Sequence, residues 1–366
     1  MRRAALLAVA VVFAAAPSRA QEPAAVYQTQ PTRAFRFAGD GLARYEWTRD
    51  IPNADGTLTN VDRYRFQARP RVELNVGPFQ AGVGGEFNYS DDENDVAPDG
   101  GTPAIIRDNY RSSDARLDLA YGRLKLGPVT AQGGRFFMPI AFTEMIWDRD
   151  LRPQGGAVSL GFGESSRLSL TGLYATGSHV FEDESVMYGG ALDLSIATGV
   201  QSKLQLVGAY LQWEDLDELS TPIRRQNTAL RLLANEYQVV DVVGRLTTGG
   251  TVPVTLVADY CWNTAVDDQN RGLWLSAILG ALGTSHARLE YTYAKIDRDA
   301  TVAAFNSDDF FWGTGWEGHR VDLGTGTVSS SSIHVVGQRQ RFKDSPNEFI
   351  RDQWVSRIRV EWRSSF

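Results

Sequence analysis

Arginines recur at even spacings in three stretches of the chain, two near its beginning and one at its end. They are Arg36, Arg44, Arg63, Arg65, Arg69, Arg71, Arg357, Arg359 and Arg363. Residues two apart in a β-strand project from the same face of a sheet. A face lined with guanidinium groups attracts carboxylates, phosphates and other anions. The chemistry that this pattern predicts is therefore electrostatic, the binding or guiding of anions.

Strict alternation in the last stretch, residues 353–366, indicates how such arginines are positioned. The residues that alternate with its charged positions are Trp354, Ser356, Ile358, Val360, Trp362, Ser364 and Phe366. A period of two is typical of a β-strand with one apolar and one polar face. A tilted strand of about this length crosses a bilayer, with lipid on one face and a water-filled lumen on the other. We therefore expect a transmembrane strand whose arginines face a lumen.

Earlier segments alternate in a similar way, and together they predict an all-β transmembrane antiparallel barrel of about sixteen strands. The predicted strands are residues 33–47, 63–76, 79–89, 115–126, 129–136, 156–162, 167–175, 188–195, 203–213, 237–247, 254–263, 272–279, 286–296, 318–327, 332–340 and 353–366. An even number places both ends of the chain on the periplasmic side, so parity argues against residues 228–234 as a further strand. Closure makes the first, second and last strands neighbours and joins their arginines into one basic wall.

Short turns alternate with long loops between these strands. Gly77-Pro78 and Gly127-Pro128 mark two short turns, and the predicted long loops are residues 90–113, 138–153, 176–186, 214–236, 297–317 and 341–352. Short periplasmic turns and longer extracellular loops are typical of outer-membrane barrels. Pro70 lies inside the second predicted strand and has no N–H to donate, so we expect a bulge or a missing ladder bond there.

Aromatic residues near the strand ends share the apolar parity. They are Tyr45, Trp47, Tyr64, Tyr89, Tyr174, Tyr210, Tyr260, Trp262, Tyr291 and Tyr293. Such residues form girdles at the two interfaces of a membrane barrel. The alternative, core aromatics of a soluble β-sandwich, fits the strand lengths and the beginning of the chain less well.

The first residues predict export. Arg2 and Arg3 precede the apolar run 4–16 and a small-residue cleavage site at residues 18–20, the pattern of a secretory signal peptide. We expect a signal peptide at residues 1–20, a short periplasmic lead at 21–32, and a single barrel at 33–366 in the bacterial outer membrane. The formal net charge is −7 and becomes −10 without the three arginines of residues 1–20, which argues against nucleic acid as a partner. Cys261 is the one cysteine, so no intrachain disulfide forms.

Three motifs carry a resemblance to a known family. Residues 134–139 read Gly-Arg-Phe-Phe-Met-Pro, residues 147–155 read Trp-Asp-Arg-Asp-Leu-Arg-Pro-Gln-Gly, and residues 306–310, Asn-Ser-Asp-Asp-Phe, lead on to Gly-His-Arg at 318–320. With the terminal Phe366, these resemble a porin family of Gram-negative outer-membrane β-barrels. The resemblance implies a diffusion channel without catalytic residues or cofactor, and it leaves the solute open. Members often have a periplasmic helical segment before the barrel, and its lack here argues against a peptidoglycan tether.

The resemblance also implies partners. They are outer-membrane lipid and lipopolysaccharide, the barrel assembly machinery acting on the terminal strand at Phe366, and, as one assembly, a homotrimer. By analogy with porins whose third loop folds inward, we expect residues 138–153 to enter the lumen. Their carboxylates, Glu144, Asp148 and Asp150, would then face the basic wall and produce a transverse field across a narrow pore.

A plainer interpretation of the wall is equally open at this point. The carboxylates of Asp40, Glu46, Glu73 and Glu361 share the parity of the arginines. The arginines would then pair with these carboxylates and keep the lumen polar without selecting a solute. Both interpretations place the arginines in the lumen.

Other reactive groups in the sequence predict neither a catalytic nor a metal site. Asp91, Asp92, Glu93 and Asp95 are more typical of a solvated loop than of a Ca²⁺ site. The histidines have no metal-ligand spacing, no Gly-x-Ser-x-Gly motif occurs, and Cys261 has no evident partner base. Two alternatives to a general porin stay open: a channel selective for anions or organic acids, and a closed-lumen outer-membrane enzyme or attachment barrel.

Overall fold

The computed structural model describes residues 34–53, 55–90, 114–163, 166–176, 185–216, 237–283, 285–307, 309–310, 313–328, 330–343 and 347–366. The expected signal peptide, the periplasmic lead, the acidic run at 91–95 and the segment 228–234 lie outside these residues.

Sixteen strands account for most of the described chain. They are β1 Phe35–Pro52, β2 Leu58–Val76, β3 Phe79–Ser90, β4 Asp114–Leu126, β5 Val129–Arg135, β6 Gln154–Phe162, β7 Arg167–Thr176, β8 Val186–Gly199, β9 Ser202–Glu214, β10 Tyr237–Thr247, β11 Val254–Asn263, β12 Arg271–Gly280, β13 Ala287–Ile296, β14 Trp316–Val328, β15 Ser331–Phe342 and β16 Trp354–Ser365. Each strand pairs with its neighbours in sequence, and β1 pairs with β16. The prediction of a closed antiparallel barrel of sixteen strands is confirmed.

The seam between β1 and β16 closes the barrel. The two strands are antiparallel, with Arg44 opposite Glu361 and Glu46 opposite Arg359. The last residue extends this ladder, because the Phe366 N–H donates to the Gly39 carbonyl at 3.0 Å and the Phe366 carbonyl accepts from the Gly39 N–H at 2.9 Å. A Cβ at Gly39 would lie 2.4 Å from the Phe366 ring, so this position requires glycine.

Alternation along strands such as β2 and β16 separates an apolar outer face from a polar inner face. On β2, Phe66 is 48% exposed and its neighbours Arg65 and Gln67 are buried. The same holds on β16, where Ile358 and Val360 are exposed beside buried Arg357 and Arg359. Exposed apolar side chains over the whole outer surface are costly in water and favourable in lipid. The outer face therefore suits a bilayer.

The first hairpin is longer than the sequence predicts. The predicted strands end at residue 47 and begin again at residue 63, but β1 continues to Pro52 and β2 begins at Leu58. Polar side chains hold these extensions together, with Asn53 Nδ2 donating to Thr59 Oγ1 at 2.8 Å. Residues typical of a turn can thus prolong a strand pair when their side chains bond across it.

Pro70 lies where β2 lacks ladder pairing with β3. The pairing of these strands omits Arg69 and Pro70. At the same level the register between β3 and β4 shifts between Gly84 and Gly85, which leaves Asp118 of β4 without an opposite residue. A proline is tolerated here because no N–H is required. This is the missing ladder bonding that the sequence predicts.

Residues 136–153 and the described residues of 297–315, which belong to two of the long loops, lie inside the barrel. Their buried apolar side chains form one hydrophobic cluster with the inner faces of several strands. The rings of Trp147 and Phe305, one from each loop, stack with centroids 5.6 Å apart. A short helix, α1 Glu348–Asp352, lies in the loop before β16. None of the helices in the described ranges has the length and hydropathy to cross a membrane.

Candidate pore and its charged walls

The predicted basic wall occupies the inner face of three adjacent strands. Eight of its members are Arg44 on β1, Arg63, Arg65, Arg69 and Arg71 on β2, and Arg357, Arg359 and Arg363 on β16. The ninth, Arg36, lies at the short-turn end of β1, where its side chain is 44% exposed and 3.9 Å from Glu73. We call these nine residues the arginine wall. The alternation of β1, β2 and β16 is what places them on one surface.

Two buried carboxylates hold the centre of the arginine wall. Glu361 Oε1 lies 2.9 Å from Arg44 Nε and 3.0 Å from Arg359 Nε. Glu46 Oε1 accepts a hydrogen bond from Arg63 Nη2 at 3.0 Å. An unpaired charge at such burial would be strongly destabilising, so these pairs fix the guanidinium groups in place.

Further carboxylates pair with the wall toward the short-turn end. Arg69 Nε donates to Asp40 Oδ1 at 2.7 Å, and Arg71 Nε donates to Glu73 Oε1 at 3.1 Å. Arg363 Nε donates to Glu361 Oε2 at 2.7 Å. The pairing expected from the shared parity is therefore present, and the wall is a network of both charge signs.

Residues 138–153 cross the interior and contact strands on several sides. Arg152 Nε lies 3.2 Å from Asp118 Oδ1 on β4, and Arg245 Nη2 on β10 donates to the Phe142 carbonyl at 3.0 Å. The Thr143 hydroxyl donates to Asp259 on β11. These contacts reach inward-facing residues, so the segment narrows the lumen rather than covering its mouth.

The three acidic residues of this loop do not form one cluster facing the arginine wall. Asp150 pairs with Arg69 of the wall. Glu144 instead lies 2.6 Å from Arg320 Nη1 on β14 and 2.8 Å from Arg149 Nη2. Burial alone would raise the pKa of Glu144, but Arg320 and Arg149 outweigh it and lower the pKa below its ordinary value.

Asp148 has a structural position inside the same loop. Its side chain is buried and its Oδ1 accepts the Asp150 N–H at 2.9 Å, while its own N–H donates to the Phe305 carbonyl at 2.7 Å. This shapes the turn that presents Asp150 to the wall. The expectation of three pore-facing carboxylates is thus wrong in geometry, because two of them have partners elsewhere.

Asp309, in the other inward loop, is the wall's partner that sequence reasoning missed. Its Oδ1 lies 2.7 Å from Arg44 Nη1 and 2.8 Å from Arg359 Nη1, and its backbone carbonyl accepts from Arg357 Nη2 at 2.7 Å. Burial alone would raise the pKa of Asp309, but Arg44 and Arg359 hold it well below its ordinary value.

A signal for this residue is present in the sequence. Residues 302–305 read Val-Ala-Ala-Phe inside a predicted loop, and an apolar run is unusual in a loop exposed to water. In the structure these residues are buried in the cluster under the loop. The apolar run therefore marks an inward fold, which brings Asp309 against the strands.

The inner face opposite the arginine wall combines many buried apolar side chains with a few charged side chains, Asp241, Arg245 and Asp259. Its buried side chains include Val207, Leu211, Val239, Val243 and Trp274, on strands β9, β10 and β12. Loop residues cover this surface: the Trp213 and Phe305 rings stack 6.3 Å apart, and Trp274 meets Phe310 edge-on at 5.3 Å. We call this surface the apolar wall.

Cys261 lies within the apolar wall. Its Sγ is 4.0 Å from Met145 Sδ of the inward loop, and the side chain is fully buried. A Cβ at Gly272 would come within 2.7 Å of both sulfur atoms. The thiol is a packing group here, since a nucleophile needs access and a nearby base.

A serine, a histidine and an aspartate, whose pairing the sequence does not reveal, meet near the short-turn end. Ser332 Oγ is 3.0 Å from His334 Nε2, and His334 Nδ1 is 2.6 Å from Asp322 Oδ1. This is the hydrogen-bond order of a hydrolase triad. However, Asp322 is shared with Arg363 at 3.2 Å, and the β15 backbone is engaged in ladders on both sides, which leaves no pair of N–H groups for an oxyanion. We interpret it as a polar network.

No group of three or more His, Cys, Asp or Glu side chains among the residues that the structure describes is arranged to hold a metal ion. The charged groups of the interior instead pair with one another.

Comparison with known proteins is consistent with this architecture. No family model matches the chain, and no curated protein matches it in sequence. Pseudomonas putida OprB, solved at high pH, superposes with a TM-score of 0.60 at 10% identity, over 91% of this chain and 94% of that one. Salmonella typhi OmpF, solved in complex with daunomycin, superposes with a TM-score of 0.52 at 12% identity, over 90% of this chain and 97% of that one.

These likenesses define the class of fold. The chain is a closed barrel of sixteen antiparallel strands with the architecture of the porins. At such identities the likeness concerns the fold, and the functional argument comes from the residues of this chain.

Proposed function

We propose that the protein is an outer-membrane porin, a water-filled channel for passive diffusion of small hydrophilic solutes and ions. The apolar outer face and the polar inner face support a bilayer location, because only closed barrels and helices satisfy all backbone groups in lipid. The proposal agrees with the expected signal peptide, which would deliver the chain to the periplasm.

The observation that carries the proposal is the exposure of charged side chains inside the barrel. Asp150 is 42% exposed and Asp309 39% exposed, although both lie in inward loops and contact the arginine wall. Arg149 is more exposed still, beside Glu144. Water therefore adjoins the arginine wall, while the opposite, apolar wall is covered by loop side chains. The pore follows the charged side.

Planar-bilayer recording tests the channel. Purified protein should give discrete single-channel current steps, and heat-denatured protein from the same preparation is the control. Absence of steps from folded protein would contradict a porin and favour the closed-lumen alternative, an enzyme or attachment barrel. In that case the network of Ser332, His334 and Asp322 would be the first group of side chains to test for enzymatic activity.

A channel selective for anions or organic acids is the second candidate. It is favoured by the position of Asp309, whose carboxylate lies between two guanidinium groups of the wall. Guanidinium pairs of this kind recognise carboxylates through charge-assisted hydrogen bonds. Block of the current by one class of solute would distinguish a selective channel from a general one.

The partners proposed for the barrel follow from its outer surface and its end. We propose that lipid and lipopolysaccharide surround it, that the assembly machinery acts on β16 and Phe366, and that a homotrimer is one assembly. Phe37 and Phe366 stack with ring centroids 5.4 Å apart at the seam, so the terminal aromatic ring packs on the folded barrel. Cross-linking in native membranes checks the trimer, and a monomer band alone would contradict it.

A further inference from the structure

We propose that the Asp309 side chain occupies an anion-binding site on the arginine wall, and that the carboxylate group of a small permeating solute takes its place. The inference rests on the proposed channel function and names a solute class for it. The site is defined by Arg44, Arg357 and Arg359, together with Glu46 and Glu361 behind them.

Two arginines of this site, Arg44 and Arg359, are held by a strand carboxylate as well as by the loop. Arg44 and Arg359 are 5% and 2% exposed, and both lie within 3.0 Å of Glu361 Oε1, itself on β16. Each reaches Asp309 with a different nitrogen, Nη1, which leaves the Nε contact with Glu361 intact. The two Nη1 groups therefore stay in position when the Asp309 carboxylate leaves.

Asp309 differs from the other carboxylates of the site in origin and in exposure. Glu46 and Glu361 lie on strands and are buried, whereas Asp309 lies in a loop and its side chain is 39% exposed. A solute in the lumen can thus reach the Asp309 carboxylate, but not those behind the guanidinium groups.

The backbone beside Asp309 has contacts that do not involve its carboxylate. The Asp309 carbonyl accepts from Arg357 Nη2 at 2.7 Å, and the Ser307 N–H donates to the Glu144 carbonyl at 2.9 Å. Phe310 packs edge-on against Trp274. Rotation of the Asp309 side chain alone therefore empties the position, and the loop need not move.

The charge of the site specifies the ligand class. The two strand carboxylates also pair with Arg63 and Arg363, so the site has an excess of positive charge when Asp309 turns away. In the structure, Asp309 Oδ1 lies between the Nη1 atoms of Arg44 and Arg359. The carboxylate of a solute can make the same two contacts. A small monocarboxylate or dicarboxylate supplies the same oxygen, and the displaced Asp309 turns toward pore water.

Current block by succinate tests the proposal, with chloride as the permeating anion. Asp309→Asn removes the competing charge and keeps the shape of the side chain. If Asp309 occupies the site most of the time, the succinate concentration for half block should fall about tenfold in this variant. Asp193→Asn, which removes an inner-face carboxylate of β8 that is bonded to Gln205 and lies away from the wall, is the control and should leave that concentration near the wild-type value.

A second variant separates the possible outcomes. Arg359→Gln should abolish succinate block both alone and together with Asp309→Asn. Equal block of wild type and Asp309→Asn, with normal current steps, overturns the anion site but leaves the porin proposal standing. Phosphate blocking as strongly as succinate would overturn the carboxylate class. Absence of steps in folded wild type overturns the channel itself. If Asp309→Asn does not insert, Asp309→Ser takes its place, and the same results decide.

Discussion

The arginine wall and the apolar wall are built from the same kind of strand but differ in what faces inward. On β1 and β16 the inward positions hold Arg44, Arg359 and Glu361, and on β10 they hold Val239 and Val243 on either side of the single carboxyl group of Asp241. Charged groups can face water, whereas an apolar surface must be covered. The loops at 136–153 and 297–315 supply that cover, so they pack on one side and leave the pore along the other.

From this difference we infer two separate roles for the loops that narrow the proposed pore. Apolar contacts hold the loops in place, and the charged residues at their tips affect which ions pass. The loops are held by buried apolar contacts around Met145, Trp147 and Phe305. At their tips, Asp150 and Asp309 reach across to the arginine wall. Changes to the anchor should therefore alter stability, and changes to the tips should alter ion passage.

The largest effect is expected from breaking the anchor. Trp147→Ala removes a buried ring that stacks on Phe305, and it should lower the free energy of unfolding by about 3–5 kcal/mol. Urea unfolding of the protein in lipid vesicles measures this. Trp147→Phe keeps an aromatic ring and is the control, with an expected loss under about 1.5 kcal/mol. Equal, small losses in both variants would show that the loop is not anchored there.

A smaller loss is expected from the centre of the arginine wall. Glu361→Gln removes the buried one of the two carboxylates that Arg44 and Arg359 share, and it should cost about 2–3 kcal/mol of unfolding free energy. Glu348→Gln is the control, because its pair with Arg351 is on the surface and contributes no more than about 1 kcal/mol. The same urea titration compares the two variants. A Glu361→Gln protein as stable as the control would argue against a buried ion-pair network.

Reversing the charge of two arginines of the wall should change the ion selectivity of the channel, while the packing of the apolar wall should change little. Arg69→Glu combined with Arg71→Glu should shift permeability toward cations by about twofold or more, because local potential sets local ion concentration. Reversal potentials in a salt gradient measure the shift. Lys203→Glu, near the short-turn end of β9, is a control away from the wall. An unchanged reversal potential in the double variant would remove the wall from selectivity.

The smallest expected effect is that of mild acid. The pKa of Asp309 is held well below its ordinary value of 3.8. A carboxylate with a lowered pKa stabilises its docked position fully above the ordinary pKa, and loses that contribution only as the pH falls toward the lowered value. Single-channel conductance that depends on Asp309 should thus be constant from neutral pH to about pH 4. A step in wild type near pH 4 that is lacking in Asp309→Asn would contradict this.

The barrel could be predicted because side-chain alternation is a local property of the sequence. The contacts of the loops with distant strands could not be predicted in this way. The parity of Arg357 and Arg359 could be deduced from adjacent residues, because side-chain direction in a strand is a local property. The gap in pairing at Pro70 was equally local. The partners of Glu144 and Asp309 depend on where two loops meet distant strands, and spacing along the chain does not contain that information. Only the apolar run at 302–305 indicates that one of these loops folds inward.

The most direct test of the account is the reversal potential of single wild-type channels in a KCl gradient across a planar bilayer. If the pore follows the arginine wall, chloride should pass more readily than potassium, and the current should reverse at the potential of an anion-selective pore. Discrete steps with a reversal potential on the cation-selective side would contradict the central claim.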